Sequence, residues 1–548
     1  MLRSMRNVLL FLAAACSLAA PLPAAAQSAA QSAAGQPGRL VSASWLKANL
    51  ARSDVLVLDA SPASLHKRGH IPGAVNADLF AFSPKEAPLP QMESRLRAWG
   101  INADTQIVIA DQGATYLATR LFWDLLQHGL PAANLFVLDG GMAAWRAAGG
   151  PLSTEPTPAR AAGTVRVTGR DPEVRVRLPE FLAATADPRR NVMLEALDPE
   201  YFYGGAAFFN RGGHVPHATL MPAGDFYNAD KTFKSPQEIQ RQLDHLGIRR
   251  DQQVLTYCGG GGAAAVPFFV LKYMLGYPNV KLFQESQLGW LQDERELPVW
   301  TYAEPHLLRD TAAVKAWAGP MLKAFGLSQV TVVDVRPAEA FKLGHVPLAL
   351  SVPVQTLKPG PEQVRQMASQ FGQAGLDRTH EAVVVSEGGL SEQAALAFLM
   401  LESLGQQKVS ILTDSIERWA ELGNEVARPA ASGQPASRPV AYAAQPAAMR
   451  LIAEPGRSSS GLPRVFVASG NQLPQRAPGA QVIHLPYKQF LNADGTPRAA
   501  KDIWSVMAKA GVPRYAEIVL FGDTVGEAAV NYVIFRLMGF ADLRVWAP

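Results

Sequence analysis

The sequence predicts an α/β protein of tandem domains, each built on a parallel sheet covered by helices, and three observations predict it. The first is a turn of pattern Gly-His-apolar-Pro-x-Ala that recurs as Gly69–Ala74, Gly213–Ala218 and Gly344–Ala349, with Gln475–Ala480 as a looser fourth copy. The second residues of these turns lie 144, 131 and 131 positions apart, so the repeating unit is a whole domain. The second observation is a strand-like run followed by a helical stretch that ends in glycine. Asp111 precedes Gly129 by 18 positions, Cys258 precedes Gly276 by 18 and Glu387 precedes Gly405 by 18. This spacing predicts that Asp111, Cys258 and Glu387 are equivalent. The third is that the strand runs are continuously apolar and β-branched and alternate with helical segments, which is what a parallel sheet covered on both faces requires.

Taken in order, residues 1–26 read as a secretory signal peptide: Arg3 and Arg6, an apolar core from Val8 to Ala20, then Ala24-Ala25-Ala26 before Gln27. Cleavage after Ala26 takes the net charge from +4 to +2 and predicts a periplasmic or secreted protein. Cys16 offers a rival reading as a lipid-attachment cysteine, ranked second because Ala13 stands where a larger aliphatic residue is usual. The first domain, 39–152, closes with Phe136-Val-Leu-Asp-Gly-Gly141 and Trp145. The second, 174–303, closes with Val280-Lys-Leu-Phe283 and Trp290, and the third, 304–428, with Val409-Ser-Ile-Leu412 and Trp419. The fourth, 440–548, has its strand at Ile518–Phe521 and stops at Val545-Trp-Ala-Pro548, without a closing helix. Segments 27–38, 149–169 and 428–439 are rich in Ala, Ser, Pro, Gly and Thr and read as linkers. The second and third domains meet near Tyr302–His306 with almost no linker, which predicts close packing.

Composition bounds the function. A small net charge without like-charge runs points away from nucleic acid, and no eighteen-residue apolar run beyond the leader suggests a transmembrane helix. Without the leader, Cys258 is the single cysteine, so it has no disulfide partner and is either buried and inert or reactive. It ends the apolar run Val254–Tyr257 and is followed by Gly259, Gly260, Gly261, Gly262 and Ala263. Four glycines bring no side chains to bury the sulfur, and their amides can turn inward beside a helix start, which favours a thiolate. The pattern points to sulfur chemistry.

The Cys258–Ala263 loop, the Gly69–Ala74 turn, Leu138-Asp139-Gly140-Gly141 before Trp145, and Val333-Asp334-Val335-Arg336 before His345 together resemble the rhodanese family of sulfurtransferases. The resemblance covers nearly all of residues 39–548 and implies a five-stranded parallel sheet in each domain. It also implies that Cys258 accepts sulfur from a small donor as a persulfide. The amides of Gly259 to Ala263 hold the anion, and the sulfur passes to a thiol, a cyanide-like acceptor or an acceptor protein. No cofactor or metal is implied. Asp111 and Glu387 cannot form persulfides, so their domains are silent, and none of Phe521 to Asp523 in the fourth is cysteine. Ala263 excludes the related phosphatase chemistry, which needs an arginine closing the loop.

This loop lacks the Arg or Lys of thiosulfate-using relatives and the small polar residues of mercaptopyruvate-using ones. Leu197 stands where the third domain has Arg336, which leaves Arg211 as the candidate for binding an anion. His214 recurs in silent domains and reads as structural, whereas His217 replaces a glycine without evident reason. The aromatic residues Tyr201–Tyr203, Phe208-Phe209 and Phe226-Tyr227 read as packing, or as an apolar rim suited to an organic or protein-bound donor.

Overall fold

The computed structural model describes residues 38–82, 87–167, 169, 171–318, 328–356, 359–360, 363–428, 438–444, 450–456, 458, 460–473 and 482–547. The leader and its Cys16, most of the 428–439 linker and the Gln475–Ala480 turn lie outside them.

Four five-stranded, all-parallel sheets share one strand order. In the first, β1 (Leu40–Val41), β2 (Val55–Asp59), β3 (Val75–Asn76), β4 (Gln106–Ala110) and β5 (Leu135–Leu138) are ordered β1-β5-β4-β2-β3. The second repeats this with β6 (Arg175–Val176), β7 (Asn191–Glu195), β8 (Thr219–Leu220), β9 (Gln253–Tyr257) and β10 (Val280–Phe283). The third uses β11 (Leu308–Arg309), β12 (Val330–Asp334), β13 (Leu350–Ser351), β14 (Glu381–Val385) and β15 (Lys408–Leu412). The fourth uses β16 (Leu451–Ile452), β17 (Arg464–Ala468), β18 (Val482–His484), β19 (Glu517–Phe521) and β20 (Leu543–Trp546). The central strands are buried on both faces, which is why they read as unbroken apolar runs.

Strand register corrects one equivalence. Glu195 pairs with Tyr257, Asp59 with Ala110 and Asp334 with Val385, so the residues that follow, Cys258, Asp111 and Ser386, share a position. Glu387 lies one residue beyond it. The third domain carries one extra residue between strand and terminal glycine, so equal counting back from Gly405 slipped the alignment. In the fourth domain Ala468 pairs with Phe521, which places Gly522 there.

The four domains are arranged as two similar pairs. Helix Leu117–Gln127 of the first packs on Ala265–Phe269 of the second, and helix Glu392–Ser403 of the third packs on Val525–Leu537 of the fourth. An excursion of the second domain, closed by a bridge between Tyr227 and Phe233, reaches the first, where the Tyr227 hydroxyl donates to Thr115 O at 2.8 Å. A matching excursion of the fourth, closed between Leu491 and Pro497, reaches the third, where Leu390 N–H donates to Gly495 O at 2.8 Å. The first and second domains accordingly share one apolar core. The connector at Tyr302–His306 lies against the fourth domain: the Tyr302 hydroxyl donates to Arg498 O at 2.6 Å and Glu304 N–H to Leu537 O at 3.1 Å. The 149–169 segment, read as linker, is held on the first domain by Gly163 and Val165 N–H bonds to Arg97 O and Ile101 O.

The His turn is structural in three domains. The rings of His70, His214 and His345 each bond a backbone carbonyl through Nδ1, at 2.9, 2.8 and 2.9 Å. Burial lowers the His214 pKa to about 4. His217 also gains a reason for its oddity: Gly73, His217 and Leu348 all have left-handed backbone, at φ +76°, +63° and +63°, so the turn demands that conformation and His217 bears it as a non-glycine.

Candidate active site

β9 delivers Cys258 to the loop 259–264, and a helix starts at Ala265, turning from α at Ala265–Phe269 to π at Val270–Met274. Pro267 is tolerated because it lies in the first turn, where N–H groups need no intrahelical partner. The turn after β10 clamps the cysteine backbone: Cys258 N–H donates to Ser286 Oγ at 3.1 Å, and Cys258 O accepts from Gln287 N at 2.9 Å. Ser286 is buried with φ +53°, where the first domain has Gly141 at φ +51°. Gly261 N–H donates to Cys258 Sγ at 3.1 Å, giving the sulfur an amide partner that strengthens as it becomes anionic.

Close approach explains three of the glycines. A Cβ on Gly259 would lie 2.3 Å from the Phe208 ring and one on Gly262 would lie 2.8 Å from the Tyr116 ring. Gly261, at φ +84°, would place its Cβ 2.5 Å from Gln284 O. Tyr116 belongs to the first domain, so that domain forms part of the site's wall.

Arg120, on the first domain's buried helix, ties the two domains together. It pairs with Asp124 through two bonds of 2.9 Å and donates through Nη1 to Gly261 O at 2.7 Å. Sequence reasoning missed Arg120 and Tyr116. The available signal was an Arg and an Asp four apart in an otherwise apolar helix, which places the pair in an interior rather than on a solvated face.

Cys258 is buried, 2% exposed, although the four glycines predict an unburied sulfur, because Tyr116, Phe208 and the packed domain boundary close around its loop; it lines a cavity of about 400 Å³. Leu79, Phe80, Tyr116, Leu117, Leu197 and Phe208 supply apolar walls, and Gly259, Gly260, Gly262 and Ala263 also line it. Arg211 lies on the 204–213 loop and is not among the residues lining the cavity. Beneath the loop Glu195 is fully buried. It bonds the Tyr257 hydroxyl and accepts from Gln287 Nε2 at 2.7 Å, and burial, only partly offset by these bonds, raises its pKa to about 8. Its counterpart in the third domain, Asp334, is instead paired with Arg336. Leu197 removes that cation here, so Glu195 is held as the neutral acid at neutral pH.

A sequence model of the rhodanese-like domain matches residues 42–148, 191–293 and 319–422, more than half of the chain. The sulfur carrier protein TtuD of Thermus thermophilus is 29% identical over 273 residues, 46% of this chain and 94% of the relative. A probable 3-mercaptopyruvate sulfurtransferase of Pseudomonas aeruginosa is 29% identical over 293 residues, 48% of this chain and 98% of the relative. Among solved structures, the 3-mercaptopyruvate sulfotransferase SseA of Escherichia coli is 25% identical, covering 45% of this chain and 98% of its own, with a TM-score of 0.41. Such relatives span about half of this chain, the length of one domain pair. The chain belongs to the rhodanese-like family.

Proposed function

We propose that the protein is an exported sulfurtransferase that moves sulfane sulfur from thiosulfate, 3-mercaptopyruvate or a persulfide donor to a thiophilic acceptor through a persulfide on Cys258. The observation that carries this reading is Cys258 Sγ, bonded by Gly261 N–H, at the wall of a cavity large enough for a small organic molecule. With a persulfide donor, the Cys258 thiolate attacks the outer sulfur. The new Cys–S bond forms as the donor S–S bond breaks, and its electron pair leaves with the donor's inner sulfur as a thiolate. An acceptor thiolate then attacks the outer sulfur of the Cys258 persulfide, forming its own S–S bond and returning Cys258 as thiolate. Gly261 N–H is placed to stabilise the anionic forms. Arg120 is spent on Asp124 and on Gly261 O, and the remaining described lining is largely apolar, which favours an organic donor over the thiosulfate dianion.

The test is mass spectrometry of the intact protein after incubation with thiosulfate, 3-mercaptopyruvate or glutathione persulfide. The expected result is a gain of one sulfur on Cys258, greatest with the organic donors. Absence of that gain with all three would overturn the reading. Loading by thiosulfate as readily as by the others would overturn the donor preference. Export is checked by fractionation, with the protein expected outside the cytoplasm and shortened by residues 1–26.

A second reading, a sulfur carrier serving a specific protein, is favoured by the rim of the cavity. Phe80 and Phe208, which line it, are 66% and 45% exposed, and Phe209, next to Phe208 in the chain, is 47% exposed, an apolar patch suited to a docking partner. Loading of Cys258 without steady-state turnover to a small thiol would select it.

A further inference from the structure

The fourth domain has Gly522 where the second has Cys258, yet it holds the segment whose Phe208 lies on the next residue, Gly259. Residues 204–213 form a loop with a tight neck, because a Cβ on Gly212 would lie 2.9 Å from Ala206 O and 3.1 Å from Gly204 Cα. Loops of this length whose ends lie close together are compact units packed by their own side chains. The tip carries Phe208, whose ring lies on Gly259 and lines the Cys258 cavity.

The root of the loop is tied to the fourth domain. The buried Tyr203 hydroxyl donates to Met538 O at 2.7 Å, and its ring stacks on Trp504 at 5.3 Å and 28°. Trp504 Nε1 donates to Glu200 Oε1 at 3.4 Å, and Glu200 O in turn accepts from Ala206 N–H at 2.8 Å, inside the loop. Beside this anchor is a cavity of about 300 Å³, lined among others by Phe202, Tyr203, Met538 and Phe540, so an untied root has room to shift.

We propose that the fourth domain is a positioning element of the Cys258 site, gripping the root of the 204–213 loop through Tyr203 so that Phe208 stays seated on Gly259. Tyr203 touches neither the sulfur nor the cavity that holds it and acts through Phe208. The inference rests on Cys258 being the reactive thiol, and alkylation tests that separately from turnover.

The experiment uses the full chain and measures Cys258 alkylation by iodoacetamide, together with KM and kcat for the best donor. Tyr203→Phe keeps the ring and removes the bond to Met538. The control is Tyr532→Phe, which removes a buried tyrosine bond, to Glu402, at the seam between the third and fourth domains. The expected result is about 2- to 10-fold faster alkylation in Tyr203→Phe, the factor that one lost hydrogen bond represents. KM is expected to rise by a similar factor with kcat little changed, and Tyr532→Phe to alkylate at the wild-type rate. Equal rates in wild type and Tyr203→Phe, or equal acceleration in both variants, would overturn the inference, the latter by showing general loosening. A thiol that the reagent fails to reach in any variant would overturn the Cys258 reading and this inference with it.

Discussion

The Asp111 loop and the Cys258 loop follow equivalent strands of two equivalent sheets, and they differ in what fills them. In the first domain the Asp111 carboxylate turns into its own loop, accepting from Gly113 N at 2.8 Å, Thr115 Oγ1 at 2.5 Å and Ala118 N at 3.1 Å. In the second, the buried Cys258 ends in a single sulfur atom that meets Gly261 N, and the residue lines a cavity of about 400 Å³. The fourth domain repeats the self-filling, since Glu527 Oε2 accepts from Asp523 N at 2.9 Å. In both of these domains the loop is filled by an acid of its own domain, while the Cys258 loop has no such side chain inside it.

The comparison is broken most completely at the sulfur. Cys258→Ser is expected to retain the fold, since a hydroxyl can still accept from Gly261 N, and to lose transfer entirely. Sulfur transfer above a no-enzyme control would refute it.

Glu195→Gln acts on stability. The pKa of Glu195 is raised in the folded state to about 8 from an ordinary value of 4.5, chiefly by burial, so between those values the folded protein binds more protons than the unfolded chain. Stability from this group is then intact below about pH 4.5, falls as pH rises and levels off above about pH 8, a span of up to roughly 5 kcal/mol. The glutamine variant should lack this slope. Denaturant titrations at pH 5, 7 and 9 read it, and parallel curves for both proteins would remove Glu195 as the source.

Arg120→Met removes the paired cation from the buried Asp124 and frees Gly261 O, an expected loss of up to about 3–5 kcal/mol. The double variant Arg120→Met/Asp124→Leu should recover most of the stability without the contact to Gly261. If that double variant transfers sulfur at the wild-type rate, the clamp across the domain boundary has no part in activity.

The smallest expected effect is none. Asp111→Cys in a Cys258→Ser background supplies a thiol where Tyr227, Lys231 and Phe233 of the second domain leave a cavity of about 10 Å³, too little for a donor. Ser386→Cys, at the corrected position, faces a loop against which Gly495 of the fourth domain packs. Measurable persulfide on either would show that cover by a neighbouring domain does not silence these loops.

The sequence by itself determined the repeated α/β plan, because period, turn and strand composition are local signals, and it singled out Cys258, because a lone thiol before four glycines is a local signal too. It did not determine the alignment of Ser386, since one inserted residue is invisible to counting and is settled only by which strand residues pair. Nor did it foresee Tyr116, Arg120 or the grip on Tyr203. These residues lie 142, 138 and 55 positions from Cys258 in the chain and reach its loop, or the segment covering it, only through the packing of whole domains. The loop that carries the proposed chemistry is a short stretch of chain. Some of its walls and supports come from two other domains, and long-range apolar burial, which leaves no local pattern, is what brings them there.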